Sequence, residues 1–177
     1  MKLIKLTASS LLLLGVVFGF SSCERDAEQK ITTDFAKSGI ILNGASEVPA
    51  NPSTAIGTMD LFYTRETRIL SYTVNWSGLT GPVTVMHIHG QAPSGFGAGV
   101  FQNIITASNG LFTPGAAFGA TGKLSGTLLI DGVTVKEADL LNGNYYMNIH
   151  THTYPGGEIR GQLRFRGKRL LNIINPV

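Results

Sequence analysis

Short runs in which apolar and polar residues alternate recur along most of the chain. Leu70, Tyr72 and Val74, for example, are each separated by one polar residue. Successive side chains of a β-strand point to opposite faces, so this period is typical of a strand with one buried face. Runs of this kind, bounded by turn-forming residues, predict eight strands, at residues 40–43, 55–63, 68–76, 83–89, 100–104, 122–130, 145–153 and 158–166.

One segment has the pattern of a short helix. Thr134 and Glu137 have the spacing of a capping box, in which each side chain accepts a hydrogen bond from the backbone N–H of the other residue. Apolar residues follow, and Gly143 can adopt the left-handed conformation that ends a helix. The chain is therefore predicted to be all-β, an antiparallel, Greek-key-like β-sandwich of about eight strands with one short connecting helix.

The composition agrees with a turn-rich β protein. Charged residues make up 14% of the chain, and there are 22 glycines; globular domains contain about 25% charged residues on average. The segments 90–99 and 109–119 are long, glycine-rich loops, and loops of this length are often functional.

The last two predicted strands also indicate how they pair. A three-residue loop at 155–157 would place His150 opposite Gln162 and His152 opposite Arg160, so that polar side chains share one face. A two-residue loop would instead place His152 opposite an apolar residue. The three-residue loop also ends in a glycine, which can adopt the left-handed conformation that such hairpins require. The polar positions predicted to surround the histidines on this face are Asn148, Glu158, Arg160 and Gln162.

All four histidines of the chain lie in two His-x-His pairs, at His87 and His89 and at His150 and His152. Residues i and i+2 of a strand share a face, so two neighbouring strands would bring the four imidazoles together. Neutral imidazole is a favoured ligand of copper and zinc. The alternative is a hydrogen-bonded polar seam that orders the sheet.

Two features of the predicted arrangement bear on that choice. The predicted pairing puts the cation of Arg160 beside His152, which is unfavourable for a bound metal ion. The only carboxylates that we expect in range of the histidines are Glu47 and Glu158.

The start of the chain resembles a lipoprotein leader. Lys2 and Lys5 precede an apolar run at 11–20 that is too short to span a bilayer and has the length of a signal-peptide core. Small residues then precede Cys23, the only cysteine, as in the lipobox of bacterial lipoproteins. The alternative is an ordinary cleaved signal peptide followed by an incidental cysteine.

These features predict four segments. Residues 1–22 are the signal peptide, 23–38 are the lipidated Cys23 and a polar tether, 39–168 are the folded domain, and 169–177 are a tail or an edge strand. Acyl chains on Cys23 would anchor the protein to a membrane. Because Glu24 rather than Asp follows the cysteine, we expect an extracytoplasmic protein in the outer membrane of a Gram-negative cell.

The net charge argues against a nucleic-acid-binding protein. Loss of the leader, with Lys2 and Lys5, lowers the formal charge from +3 to +1. A basic run remains at 160–169, and we interpret it as a solvated strand face rather than an anion site. With Cys23 lipidated, no thiol is left for a disulfide, so the fold must depend on its own core.

Three motifs in order resemble the CHRD domain, the module named for chordin. They are Ile-Leu-Asn-Gly-Ala-Ser-Glu-Val-Pro at 41–49, His-Ile-His-Gly at 87–90, and Asn-Ile-His-Thr at 148–151 followed by Pro-Gly-Gly-Glu-Ile-Arg-Gly-Gln at 155–162. The resemblance spans about 39–166 and implies an extracellular all-β domain. Animal chordin is a secreted growth-factor antagonist, but that role does not transfer to a lipoprotein. His87, His89 and His150 fall in the motifs, and His152 lies outside them.

The function favoured by these features is a non-catalytic binding or structural module with a histidine metal site. The glycine-rich loops would face an unknown protein or glycan partner, with Phe96 as a candidate contact. The alternative is a copper or zinc metalloprotein with superoxide-dismutase-like redox activity, which rests on analogy at the level of the fold. Because the chain has no Gly-x-Ser-x-Gly, His-Glu-x-x-His or phosphate-loop motif, we do not expect an enzyme of those classes.

Overall fold

The computed structural model describes residues 34–105 and 118–165. The predicted signal peptide, Cys23, most of the tether, most of the loop at 109–119 and the segment 169–177 lie outside these residues. The elements are β1 (Asp34–Asn43), a 3-10 turn (Gly44–Ser46), β2 (Ile56–Thr64), β3 (Ile69–Ser77), β4 (Val85–Gly90), β5 (Val100–Ile105), β6 (Gly122–Leu129), α1 (Glu137–Asn142), β7 (Tyr145–His150) and β8 (Ile159–Leu163).

The predicted all-β fold is confirmed. The eight strands form one sheet in the order β5-β4-β7-β8-β1-β2-β3-β6, and each pair of neighbours is antiparallel. The sheet curls almost into a barrel, so that the edge strands β5 and β6 approach each other. The side chain of Gln102 on β5 bridges them, since its Nε2–H donates to Thr127 O on β6 at 2.8 Å.

The core lies inside the curl of the sheet, as the alternation of apolar residues predicts. On β3, Leu70, Tyr72, Val74 and Trp76 are all buried. The Trp76 Nε1–H donates to Gly119 O at 3.0 Å, so its one polar group is satisfied. Full burial of an aliphatic side chain such as Leu70 or Val74 contributes about 1.5–3 kcal/mol to the free energy of folding.

The first strand begins earlier than the sequence indicates. Residues 34–38, which the polar composition assigns to the tether, belong to β1, where Asp34 pairs with Thr64 of β2. This part of β1 lies on the sheet with mostly exposed side chains. Its composition is therefore polar although its backbone is paired.

The predicted pairing of β7 with β8 is wrong. Asn148 pairs with Arg160 and Ile149 with Ile159, which is a shift of four residues along β7. β7 ends at His150, and the connection to β8 runs from 151 to 158 instead of consisting of a three-residue turn. An even shift leaves every side chain on its predicted face, so the separation of apolar and polar faces is correct.

The short helix occurs where it is predicted, but its start is built differently. Gly143 ends α1 in the left-handed conformation, with φ 75° and ψ 37°. The N-cap is Lys136 rather than Thr134, and it makes no side-chain capping bond, so the predicted capping box is wrong. The backbone N–H groups before the helix donate to Asp131 Oδ1, while Glu137 pairs with Arg65 at 2.7 Å. Neither helical element in 34–105 and 118–165 has the length and hydropathy needed to cross a membrane.

Candidate metal centre

Three of the four histidines meet on the outer face of the sheet. β4 and β7 are neighbours, and their register sets His87 opposite Asn148 and Val85 opposite His150. One possible ligand atom from each of His87, His89 and His150 lies within 4.8 Å of the other two. His152 is exposed in the connection after β7 and does not belong to this group. The strand that would have kept His152 on the same face as His150 ends at His150.

The loop between β4 and β5 covers this face. Its backbone oxygens at Ala92, Phe96 and Ala98 accept hydrogen bonds from side chains of β8 and β4. β7 is consequently buried at all six of its positions, on both sides of the sheet. The glycine-rich composition of this loop predicts an exposed surface. That the loop packs over the histidines is seen only in the structure.

Backbone carbonyls determine the tautomers of two of the rings. The Nδ1–H of His89 donates to Ala98 O at 3.0 Å, and the Nδ1–H of His150 donates to Pro155 O at 2.9 Å. A neutral imidazole has one N–H, so Nε2 of each ring presents a lone pair. Hydrogen bonds from the other ring nitrogen to backbone carbonyls orient histidines in this way at metal sites.

His87 supplies the third ring. Its centroid lies 5.4 Å from that of His89 and 5.0 Å from that of His150, both in edge-to-face orientation. Its Nδ1 is buried and has no hydrogen-bond partner among the described residues. Burial, together with the charges that His150 and His89 can carry, lowers the pKa of His87 to about 4. Burial also lowers the pKa of His150, so these two rings favour the neutral, metal-binding form at pH 7.

Asn148 lies between the rings and a buried carboxyl group. Its Oδ1 is 3.0 Å from His89 Nε2 and 2.9 Å from His150 Nε2. On its other side, the amide bonds to the carboxyl group of Glu47. Only 7% of Glu47 is exposed, and its Oε1 has no hydrogen-bond partner among the described residues. Burial raises the pKa of Glu47 to about 7, although the nearby Arg160 cation opposes that shift.

The aromatic ring of Tyr146 contacts both His89 and Arg160. The Tyr146 ring stacks on His89 with centroids 4.7 Å apart and an interplanar angle of 3°. The guanidinium carbon of Arg160 lies 3.4 Å from the centroid of the same Tyr146 ring, a cation–π contact. The expectation that Arg160 lies opposite His152 is wrong, because the register of β7 and β8 sets Arg160 opposite Asn148 and its guanidinium packs on Tyr146.

The four polar residues predicted near the histidines have different roles. Asn148 contacts two of the rings, and Arg160 packs on Tyr146. Gln162 holds the covering loop, since its Nε2–H groups donate to Ala92 O and Gly143 O, both at 2.8 Å. Glu158 belongs to a separate network and contacts none of the histidines through the hydrogen bonds of its carboxylate.

Two of the sequence motifs meet beside Glu47. The segments 47–51 and 153–157 line a cleft of about 250 Å³. The Asn51 side chain joins the two segments, because its Nδ2–H groups donate to Gly157 O and Glu158 O at 3.1 Å. The sequence pattern alone does not reveal that Glu47 reaches Asn148. The sequence signals that point to Glu47 are its position in the first of the three motifs and the expectation that few carboxylates lie in range of the histidines.

Phe96 projects from the covering loop, and 64% of it is exposed. We expect Phe96→Ala to change the free energy of unfolding by no more than about 0.5 kcal/mol, because the ring is solvated and the backbone oxygen that binds Arg160 stays. Phe101→Ala is the matched control. Its ring packs on Tyr145 at 5.3 Å and against the core, so its loss should cost about 2 kcal/mol or more. Urea unfolding would measure both variants, and equal losses would contradict the prediction.

The CHRD domain family matches residues 39–163 of the chain. The match includes the three clustered histidines together with Glu47, Asn148 and the loop over them. No curated protein and no solved structure matches the chain.

Proposed function

The chain belongs to the CHRD domain family, and we propose that its domain is a binding module that holds one copper or zinc ion through His87, His89 and His150. The observation that carries this proposal is the convergence of one ligand atom from each ring within 4.8 Å. The two Nδ1–H groups that are bonded to carbonyls support it, because they leave the Nε2 lone pairs of His89 and His150, which lie beside the Asn148 amide, to coordinate an ion.

The chemistry of the three side chains favours these metals. Three imidazoles without a thiolate form a set that suits zinc and copper, and such a set leaves a coordination position for a further ligand. The burial that keeps His87 and His150 neutral favours metal binding further, since no proton has to leave these rings at pH 7.

We further propose that the protein works outside the cytoplasm on a lipid anchor at Cys23, in the outer membrane. The basic and apolar leader and the lone cysteine support this location. A protein or glycan partner would meet the exposed parts of the domain, among them Phe96 on the covering loop. The glycine-rich sequence around Phe96 suits such a contact surface.

Metal content tests the proposed site. The mature protein, purified without a histidine tag, is loaded with zinc or copper and dialysed, and the metal per chain is determined by elemental mass spectrometry. We expect about one ion per chain, and we expect the double variant His87→Ala/His150→Ala to bind at least about 100-fold more weakly because two of three ligands are lost. His152→Ala should bind like the unchanged protein, because His152 is exposed outside the cluster.

The control variant makes the result specific to the cluster. If His152→Ala lost the metal as well, the binding would come from exposed histidines rather than from the proposed centre. If the unchanged protein bound neither metal, the metal function would be excluded.

A further inference from the structure

The side-chain amide of Asn148 faces two lone pairs at once. His89 and His150 each use their N–H for a backbone carbonyl, so both Nε2 atoms are hydrogen-bond acceptors. Both lie within 3.0 Å of the same end of the Asn148 amide. An amide NH₂ group can donate one hydrogen to each ring, whereas an amide oxygen at this end suits a cation shared with the rings. The orientation of this amide is therefore coupled to what the rings bind.

Glu47 faces the other end of the same amide. When NH₂ points to the rings, the amide oxygen points to Glu47, which must then carry a proton in order to donate a hydrogen bond. When the oxygen points to the rings, NH₂ points to Glu47, which then accepts best as a carboxylate. The buried position of Glu47 makes both forms accessible near neutral pH, since its pKa is raised to about 7.

We propose that Asn148 is a positioning residue of the metal site and that Glu47 is its proton partner, so that metal binding turns the Asn148 amide and releases the proton of Glu47. This inference rests on the proposed function. Before binding, protonated Glu47 donates to Asn148 Oδ1, and Asn148 Nδ2 donates to both rings. After binding, Asn148 directs Oδ1 towards the rings, as in the structure, and its Nδ2 donates to the Glu47 carboxylate.

The surroundings of Glu47 suit this exchange. The groups acting on its carboxyl group are the Arg160 cation from β8, the Asn148 amide from β7 and the backbone N–H of Val48. Arg160 stabilises the carboxylate that forms, and burial stabilises the protonated form that precedes it. The released proton has a path to solvent, because Glu47 also lines the cleft between 47–51 and 153–157.

The number of protons released on metal binding tests the coupling. Zinc chloride is titrated calorimetrically into the purified mature protein at pH 6.5 in buffers of different ionisation enthalpy, which gives the protons released per zinc. The unchanged protein should release about one proton more than Glu47→Gln, because glutamine can bond to either end of the amide but has no proton to lose. Any protons from the histidines are common to both proteins and cancel in the difference.

A matched control excludes a general effect of the lost charge. Glu137→Gln makes the same chemical change at a surface ion pair with Arg65, and it should release as many protons as the unchanged protein. The pH dependence of zinc affinity is a second measurement. Between pH 5.5 and 6.5, the affinity of the unchanged protein should rise by about a further tenfold per pH unit compared with Glu47→Gln, and this difference should level off above pH 7.

The outcomes separate this inference from the proposed function. If the unchanged protein binds zinc and Glu47→Gln releases the same number of protons, the coupling is overturned and the metal site stands. A decrease in Glu137→Gln equal to that in Glu47→Gln would also overturn the coupling. If the unchanged protein binds no zinc, both the coupling and the zinc site fail together.

Discussion

Glu158→Gln is expected to lower the free energy of unfolding by about 3 kcal/mol. The Glu158 side chain is fully buried and accepts four hydrogen bonds, from Ser53 Oγ, Thr80 N, Thr80 Oγ1 and Thr151 Oγ1, at 2.6–2.9 Å. Each hydrogen bond to a charged group contributes about 1.5–3 kcal/mol, and the NH₂ of glutamine would face donors on one side. These bonds also join the loops that contain Ser53, Thr80 and Thr151, so the substitution should destabilise all three loops.

Urea unfolding at pH 7 measures the effect, with Glu137→Gln as the control. Glu137 is a partly exposed carboxylate that pairs with Arg65 and accepts a hydrogen bond from the Tyr63 hydroxyl. Glutamine keeps one oxygen that can accept from Tyr63, so the replacement should cost less than about 1 kcal/mol. Equal losses in the two variants would show that the buried network does not stabilise the fold more than a surface pair does.

Protonation of Glu158 in acid is expected to lower the free energy of unfolding. Burial raises the pKa of Glu158, but the hydrogen bonds from Thr151, Ser53 and Thr80 lower it by more, so the net shift is downward from 4.5. When the pKa of a group is lower in the folded protein than in the unfolded protein, its stabilisation is fully present at a pH above the unfolded-state pKa. That stabilisation is lost as the pH falls through the folded-state pKa. The difference in unfolding free energy between the unchanged protein and Glu158→Gln should therefore shrink below about pH 4.5. A constant difference down to pH 3 would contradict this assignment.

Gly157→Ala is expected to destabilise the domain by about 2–3 kcal/mol and to weaken zinc binding at least about tenfold. Gly157 has a φ of +125°, where an L-residue with a side chain is strained. A Cβ at this position would also clash with Glu47 Oε1 and lie 2.8 Å from Asn148 Nδ2. The substitution thus displaces the two side chains that we propose to support the metal site.

The preceding glycine is the control for this prediction. A Cβ at Gly156 would meet no atom within 4 Å, and its φ is not in the left-handed range. Gly156→Ala should therefore leave the melting temperature and the zinc affinity close to those of the unchanged protein. Similar losses at both positions would mean that flexibility of the loop, rather than the contact with Glu47 and Asn148, requires glycine at 157.

The β7–β8 hairpin shows where sequence reasoning succeeds and where it fails. Alternation along each strand correctly assigns Asn148, His150, Arg160 and Gln162 to one face, because that pattern depends only on neighbouring residues. The register does not follow from alternation, since any even shift keeps the same faces. The connection 151–158 sets the register, and its last residue, Glu158, is fixed by hydrogen bonds to distant loops.

The predicted capping box at the start of α1 is wrong for a related reason. Thr134 and Glu137 have the spacing of a capping box, but both groups find better partners. The N–H of Thr134 donates to Asp131, and Glu137 pairs with Arg65 in the turn between β2 and β3. The polar groups of a local motif can form hydrogen bonds or ion pairs with residues that are distant in the sequence but close in the fold. A four-residue pattern contains no information about such distant partners.

Patterns of neighbouring residues predict the positions of the eight strands, the apolar core, the polar face that carries His87, His89 and His150, and the resemblance to the CHRD family. These follow from the two-residue period of a strand and from the order of the motifs, which are properties of neighbouring residues. Three further features follow from the tertiary structure: β7 ends before His152, a loop covers the other histidines so that His89 and His150 are buried and His87 partly buried, and Asn148 connects His89 and His150 to Glu47. Those features depend on contacts between residues far apart in the chain, and the free energy of such contacts leaves no local pattern in the sequence.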